Sequence, residues 1–349
     1  MSTTSLSNQF VQLASEASRA PPTTAIRRAS ARTLFDFFAC VIGGSETGAQ
    51  LSWPLDRAGQ LAVSAHRRDQ DDLRLRSFTH PGGVIWSAVT EAALERVATL
   101  SEAVRAASLG YEVTVRLADA LGASHRRRWH TTTTAGTVGA AAASALLLGG
   151  DSACMIDAVG HGLSVAGGST QALIERSGTR LLHRAHAASS GVACARAACS
   201  ELSASRFGLE HERGVVAFPS FSAFAADLLR PRTTSAIEET GFRLYPANGF
   251  AHAAIDAALE IGAINPETIT RVRVAVSPPA GVRLASNTEP GDDEEAWWSI
   301  EHAVAVCLCA GEATALSAGM SERPDVRELC RRIELAADGM AGGQRSRSG

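Results

Sequence analysis

Two histidines stand directly before predicted helices. His80 lies in the segment THPGG and His130 in the segment WHTTTTAG. A helix N-terminus presents unsatisfied N–H groups and the positive end of the helix dipole, which together can hold an anion. A histidine at that point can accept or donate a proton near neutral pH. The pattern therefore predicts proton transfer beside an anionic substrate. The alternative is that each histidine caps a helix or bonds to a loop carbonyl.

An acidic run precedes the first of these histidines. The segment RRDQDD contains Asp69, Asp71 and Asp72. Carboxylates close to a histidine can act as general acids or bases. Acidic loops are more often only solvated, so both interpretations stay open from the residues alone.

The other motifs predict neither a metal site nor a bound cofactor. The ten histidines form no HExxH sequence, and His183 and His186, three residues apart, supply too few ligands for zinc. The segment GHGLSVAGG follows a helical pattern and matches neither a GxGxxG nor a Walker sequence. Ser164 lies outside a GxSxG elbow, so a serine hydrolase is not predicted.

The cationic residues limit the chemistry further. All 33 of them are arginine. Because the chain has no lysine, a lysine Schiff base and a lysine acid or base are excluded, and arginine stays protonated at any working pH. The net charge of −3 gives no field that would attract nucleic acid or an anionic membrane.

Cysteine usage and hydropathy indicate the compartment. The seven cysteines form no CxxC pair, which predicts reduced and buried thiols. The N-terminal residues lack a secretory signal pattern. The longest apolar run, residues 135–148, is too short for a comfortable membrane span. We therefore predict a cytoplasmic protein.

The spacing of apolar residues predicts a mainly α chain with an α+β second domain. Helical patterns rich in small residues continue to about residue 240, apart from residues 44–78, which are predicted to be irregular. The alternating run over 269–276 predicts a strand. We predict a large helical domain over residues 1–242 and a smaller α+β domain over residues 243–335. Residues 336–349 are predicted to form a disordered tail.

Several segments, read in chain order, resemble the MmgE/PrpD family. They are ARTLFDFFACVIGGS, DQDDLRLRSFTHPGGVIWSA, LGYEVTVRLADAL, WHTTTTAGTVGAAAASALLLGGD, TRLLHRAHAASSGVACARAA, FRLYPANGFAHAAIDAA and WWSIEHAVAVCLCAGEA. The resemblance implies a large all-helical domain with a smaller α/β lid domain, a homodimer, and an active site between the two domains. It also implies cofactor-free lyase chemistry on small tricarboxylate-type acids.

The resemblance assigns site residues as well. Asp69, His80 and His130 keep the residue type of family active-site positions. With these positions and their neighbours, we predict two groups of site residues. The catalytic group is His80, His130, Asp69 and His302, and the substrate-binding group is Arg180, Arg243, His183 and Thr131.

At four positions the chain departs from the family pattern. Arg180 and Arg243 stand where the family has lysine, Leu73 where it has a hydroxyl residue, and His302 where it has tyrosine. Arginine holds a carboxylate with two parallel hydrogen bonds but cannot transfer a proton at neutral pH. A proton-transfer role of the family lysines would therefore have to move to a histidine.

The leading hypothesis is a lyase that acts on a small polycarboxylate or related biosynthetic acid. One of His80 and His130 would remove the proton α to a carboxylate, and the other histidine or Asp69 would assist the leaving group. An isomerase or epimerase would use the same proton abstraction. A non-catalytic binding or partner protein is the third hypothesis, motivated by the replaced lysines, the lost hydroxyl and the shortened ends.

Overall fold

The computed structural model contains two compact units. The first lies within residues 1–67 and 71–242, and the second within residues 68–70 and 243–349. The structure describes residues 7, 10, 12, 16, 21–45, 54–175, 177–210, 226–229, 233–276, 286–317 and 320–337.

The first unit is built from helices. In chain order they are α1 (Thr24–Ser45), α2 (Arg57–His66), α3 (Pro81–Arg96), α4 (Leu100–Arg126), α5 (Thr131–Leu147), α6 (Ser152–Val165), α7 (Gln171–Ile174) and α8 (Thr179–Cys199), followed by a 3₁₀ turn at Ala226–Leu229. The prediction of a mainly α chain is confirmed. No described helix combines the length and the apolar character that crossing a bilayer requires.

Helix α5 lies at the centre of this unit. Every one of its residues except Leu146 is buried, and the helix packs against α4, α6 and α8. Alanine and glycine permit this close approach, since a methyl group added at Gly191 of α8 would overlap Ala140 of α5. The alanine run is therefore packing, and its N-terminal end carries His130 as the capping residue.

Helix α2 corrects one prediction. Residues 44–78 were expected to be irregular, which is wrong over Arg57–His66. The Asp56 carboxylate accepts a hydrogen bond from the Gly59 N–H at 2.8 Å and starts the helix. Four of its six buried residues are small, namely Ala58, Gly59, Ala62 and Ala65. Such small residues give a weak periodic signal in the sequence.

Helix α4 begins at Leu100 with a capping box. Its N-cap is Thr99, whose hydroxyl accepts from the Glu102 N–H while the Glu102 side chain accepts from the Thr99 N–H. The helix is buried over its middle, where Tyr111 has no exposed surface. This position brings the Tyr111 hydroxyl to the site described below.

The second unit combines helices with a small sheet. Its elements are α9 (His252–Ile261), β1 (Val272–Val276), α10 (Asp293–Trp298), α11 (Ile300–Ala310), α12 (Pro324–Arg331) and β2 (Ile333–Ala337). The two strands are parallel and pair from Val272 with Ile333 to Val276 with Ala337. The apolar core lies between the sheet and the helices α9, α11 and α12.

Both strands refine the sequence interpretation. Strand β1 falls within the predicted run 269–276 but begins at Val272. Strand β2 was not predicted, because the segment around it has the pattern of the preceding helix. It ends at Ala337, two residues beyond the predicted domain end, and the rest of the predicted tail, 338–349, lies outside the described residues.

Candidate active site

His80 is held in one tautomer by its surroundings. It is the N-cap residue of α3, and its side chain makes no capping bond. Its backbone N–H donates to Thr132 Oγ1 at 3.1 Å, and its ring Nδ1 lies 2.8 Å from the backbone oxygen of Asp72. A carbonyl oxygen only accepts hydrogen bonds, so Nδ1 must carry the proton. Nε2 is then the nitrogen whose lone pair can accept one.

A buried carboxyl holds the loop that positions His80. Asp72 Oδ1 accepts from the Gly82 N–H at 2.8 Å, and Asp72 Oδ2 accepts from the Tyr111 hydroxyl at 2.6 Å. Burial raises the pKa of the Asp72 carboxyl to about 8, although both hydrogen bonds act to lower it. The pair therefore joins the loop before α3 to the middle of α4.

Gly82 is required beside this pair. A methyl group at Gly82 would lie 2.7 Å from Asp72 Oδ2 and 2.7 Å from the Tyr111 oxygen. Both atoms belong to side chains that are fully enclosed. The glycine in THPGG is thus explained by the carboxyl–phenol contact, one residue beyond the helix start.

A second chain of hydrogen bonds runs through His66. Its Nδ1 lies 2.9 Å from Asp71 Oδ1, and its Nε2 lies 3.3 Å from Arg184 Nη2. Since arginine only donates, His66 Nε2 accepts and Nδ1 donates to the carboxylate. Asp71 Oδ1 also lies 3.7 Å from His80 Nδ1. A positive charge that develops on His80 would therefore face this carboxylate.

His130 forms a pair with His183. Their Nδ1 atoms lie 3.1 Å apart, and Thr133 Oγ1 lies 3.1 Å from the same His130 nitrogen. Burial, followed by the charge of Arg184, lowers the pKa of His130 well below its usual value. Burial also lowers the pKa of His183. Both rings are thus neutral at pH 7, and one donates a hydrogen bond to the other.

Helix α8 carries the buried arginines Arg180 and Arg184. Arg180, His183 and Arg184 are buried, whereas His186 is exposed. His183 and His186 therefore lie in different environments. Arg180 is 3% exposed and Arg184 is 2% exposed. A guanidinium at such a position loses little hydration when it binds a carboxylate.

Thr131 occupies the first turn of α5. Its side chain is buried, and its hydroxyl oxygen has no hydrogen-bond partner among the described residues. A buried hydroxyl without a partner costs free energy that a ligand atom could recover. The predicted substrate-binding role of Thr131 stays a prediction.

The second unit contains the other predicted residues. Asp69 Oδ2 lies 2.7 Å from Arg243 Nη1, and both side chains are buried. Asp69 adopts a left-handed backbone with φ of 52°. His302 lies in the first turn of α11, where its N–H donates to Ser299 Oγ at 2.9 Å. The catalytic roles predicted for Asp69 and His302, and substrate binding by Arg243, stay predictions.

Leu73 lies at a backbone contact. Its N–H donates to the Gly241 oxygen at 2.9 Å, and the Gly241 N–H donates back to the Leu73 oxygen at 3.0 Å. The side chain takes no part in either bond. Loss of a hydroxyl at this position therefore leaves the local backbone pairing intact.

Both domains of one family match the chain. Residues 11–224 match the MmgE/PrpD N-terminal domain, and residues 245–343 match the MmgE/PrpD C-terminal domain. The chain belongs to the MmgE/PrpD family. A search of curated proteins gives no match. Membership of the family supports a lyase function of the dehydratase type.

Three contributors to this MmgE/PrpD site were missed from the sequence. They are His66, Arg184 and Tyr111, each buried and each bonded to the acidic run or its neighbours. His66 precedes Asp71 by five residues, which is a usable signal once α2 is known to end there. Arg184 and Tyr111 are distant in sequence from the acidic run and carry no comparable signal.

Proposed function

We propose that this protein is a lyase that removes a proton α to a carboxylate of a small polycarboxylate, with elimination of water or loss of CO₂. The observation that carries the proposal is the 2.8 Å contact between His80 Nδ1 and the Asp72 carbonyl oxygen. Because Nδ1 carries the proton that bonds to this oxygen, the lone pair that can accept a proton lies on Nε2. The side chain keeps 14% of its surface accessible.

Proton removal leaves a positive imidazolium at His80. The Asp72 carbonyl oxygen at 2.8 Å and the Asp71 carboxylate at 3.7 Å both lie next to Nδ1. Nearby negative charge favours the protonated form of a histidine. Asp71 is in turn oriented by His66, whose other nitrogen accepts from Arg184. The chain of contacts therefore favours His80 as a general base.

The negative charge that forms on the substrate requires a cation. Arg180 is buried on α8, close in sequence to His183 and Arg184. A guanidinium can bind a carboxylate with two hydrogen bonds and stabilise the dianion that α-proton removal creates. In this proposal Arg180 binds the substrate and takes no proton, because arginine does not titrate at neutral pH.

The His130–His183 pair serves the leaving group. If His183 Nδ1–H donates to His130 Nδ1, then His130 carries its proton on Nε2. The Thr133 hydroxyl at 3.1 Å supports the same arrangement by donating to the same nitrogen. A leaving hydroxide would take that Nε2 proton and depart as water. Loss of that proton leaves His130 as an imidazolate, which takes a proton back from solvent. The His80 imidazolium releases the substrate proton to solvent, so both rings are neutral before the next cycle.

The experiment is ¹H NMR of a panel of di- and tricarboxylates with the full-length protein in D₂O. The proposal predicts an unsaturated or decarboxylated product from at least one acid. Deuterium incorporation without net product would instead favour an isomerase. No turnover and no exchange across the panel would contradict both enzyme assignments and leave a binding protein.

Two variants separate catalysis from folding in this assay. His80→Gln removes the proposed base and is expected to lower turnover by about 10²–10⁴-fold. His186→Gln changes an exposed histidine on α8 and is expected to leave turnover unchanged. Equal loss in both variants, or full activity of His80→Gln, would exclude His80 as the base.

A further inference from the structure

Two cysteines approach each other across two helices of the first unit. Cys154 lies in the first turn of α6, and Cys199 is the last residue of α8. Their sulfur atoms lie 2.8 Å apart. A disulfide bond has a sulfur–sulfur distance of about 2.05 Å, so bond formation requires a relative shift of roughly 0.8 Å. The two thiols are separated by 45 positions in the chain.

This pair is more accessible than the three buried cysteines. Cys199 is exposed and Cys154 is half-buried, whereas Cys194, Cys307 and Cys330 are buried. The prediction of buried thiols is therefore wrong for Cys199. The sequence contained no indication of the pair, because a search for CxxC spacing detects only cysteines that are neighbours in the chain.

We infer that Cys154 and Cys199 form an intramolecular disulfide when the protein meets a low-molecular-weight disulfide such as oxidised glutathione. The Cys199 thiolate attacks one sulfur of that disulfide and releases one glutathione thiolate. The Cys154 thiolate then attacks the Cys199 sulfur of the mixed disulfide and releases the second. Two protein thiols lose two protons and two electrons, and one oxidised glutathione becomes two reduced molecules.

The environments of the two thiols set this order. Cys199 is the exposed member and can be reached from solvent. Burial raises the pKa of the Cys154 thiol to about 12, with contributions from Cys199 and nearby aspartates. A thiol with so high a pKa is a poor first nucleophile. The Cys154 thiol reacts in the second step, because the Cys199 sulfur that it attacks is already in contact with it.

The bond would act on the helix that carries Arg180 and Arg184. The closed loop runs from α6 to the end of α8 and includes Arg180, His183 and Arg184. Cross-linking a loop of this length restricts the unfolded chain and stabilises the folded one. Oxidation therefore clamps the C-terminal end of α8 to the beginning of α6.

The test is oxidation of the reduced full-length protein with oxidised glutathione, followed by tryptic digestion without reductant and mass spectrometry. Cleavage after arginine places Cys154 in the peptide 129–176 and Cys199 in the peptide 197–206, while Cys194 falls in a separate peptide. The expected product is a cross-link between these two peptides. It should be reversed by dithiothreitol and accompanied by a rise in Tm of several degrees.

Matched variants complete the test. Cys154→Ser and Cys199→Ser should each abolish the cross-link and the rise in Tm, whereas Cys309→Ser, at a half-buried cysteine of the second unit, should leave both unchanged. Glutathione retained on Cys199 of the wild-type protein without a cross-link would overturn the inference. A cross-link that lowers Tm would also overturn it, because the native geometry would then not accommodate the bond.

Discussion

The Nδ1 atoms of His130 and His183 lie 3.1 Å apart in the interior of the helical unit. Burial lowers the pKa of both rings. Two neutral imidazoles can share one hydrogen bond only if one nitrogen donates and the other accepts. The tautomers of the two rings are therefore linked, and a change at His183 alters which nitrogen of His130 carries a proton.

Replacing His183 tests this link. His183→Asn retains an N–H donor near the position of Nδ1, so turnover should remain measurable. His183→Leu removes the donor, and turnover should fall by about 10²-fold, the lower end of the range for general acid–base catalysis. The measurement is kcat for both variants beside His186→Leu, at the exposed histidine of the same helix. Equal kcat values in the three variants would contradict the link.

Gly82 and Gly83 offer a matched pair of substitutions. Gly82→Ala places a methyl group 2.7 Å from both Asp72 Oδ2 and the Tyr111 oxygen. Gly83→Ala meets its nearest atom, an oxygen of Asp71, at 3.3 Å. We expect Gly82→Ala to lower the free energy of unfolding by about 1–3 kcal/mol and Gly83→Ala to cost less. Urea denaturation measures both, and the reverse order would contradict the account.

The Asp72 carboxyl predicts a pH dependence of stability. Its pKa is raised from 3.8 to about 8 on folding, so the folded protein binds more protons than the unfolded chain between these values. The contribution of this carboxyl to the free energy of unfolding is present in full below pH 3.8 and is lost as the pH rises through 8. Asp72→Asn keeps an oxygen that accepts from the Gly82 N–H, places an amide N–H against the Tyr111 hydroxyl, which then accepts instead of donating, and removes the titration.

The comparison that isolates this effect is the free energy of unfolding of wild type and Asp72→Asn from about pH 5 to pH 8. Relative to the variant, the wild type should lose up to about 1.4 kcal/mol per pH unit over this range. Parallel curves for the two proteins would show that the Asp72 carboxyl is ionised in the folded protein throughout the range.

Arg180 is expected to bind a substrate carboxylate. Arg180→Gln should raise KM by at least about 10-fold, as the loss of a charge-assisted hydrogen bond implies. The control is Arg196→Gln on the same helix, because Arg196 is paired with Glu91 and Glu95 near the surface. Steady-state kinetics on an acid identified by NMR would measure both. A larger KM change at Arg196 would contradict the assignment.

Much of the fold follows from the sequence because the helices carry strong apolar spacing and clear ends. His80 and His130 both precede helices, as predicted. Helix α2 was missed because its buried face consists mostly of small residues. Strand β2 was missed because it directly follows α12, separated by the single residue Arg332, and has only five residues.

The site was predicted less completely than the fold. The sequence indicates the acidic run, but the partner of each aspartate is set by contacts with residues that are distant in the chain. Asp71 pairs with His66, Asp72 pairs with Tyr111, and Asp69 pairs with Arg243. Three aspartates of one short segment thus have three different partners. Local spacing contains no information on such partners, since they are set by helix packing.

The central claim is that Nε2 of His80 is the proton acceptor, and ¹⁵N NMR of the histidine rings tests it most directly. Comparison of uniformly ¹⁵N-labelled wild type with His80→Gln assigns the two ring nitrogens at a pH where the ring is neutral. We expect a protonated Nδ1, donating to the Asp72 carbonyl oxygen, and an unprotonated Nε2. A protonated Nε2 with an unprotonated Nδ1 would contradict it.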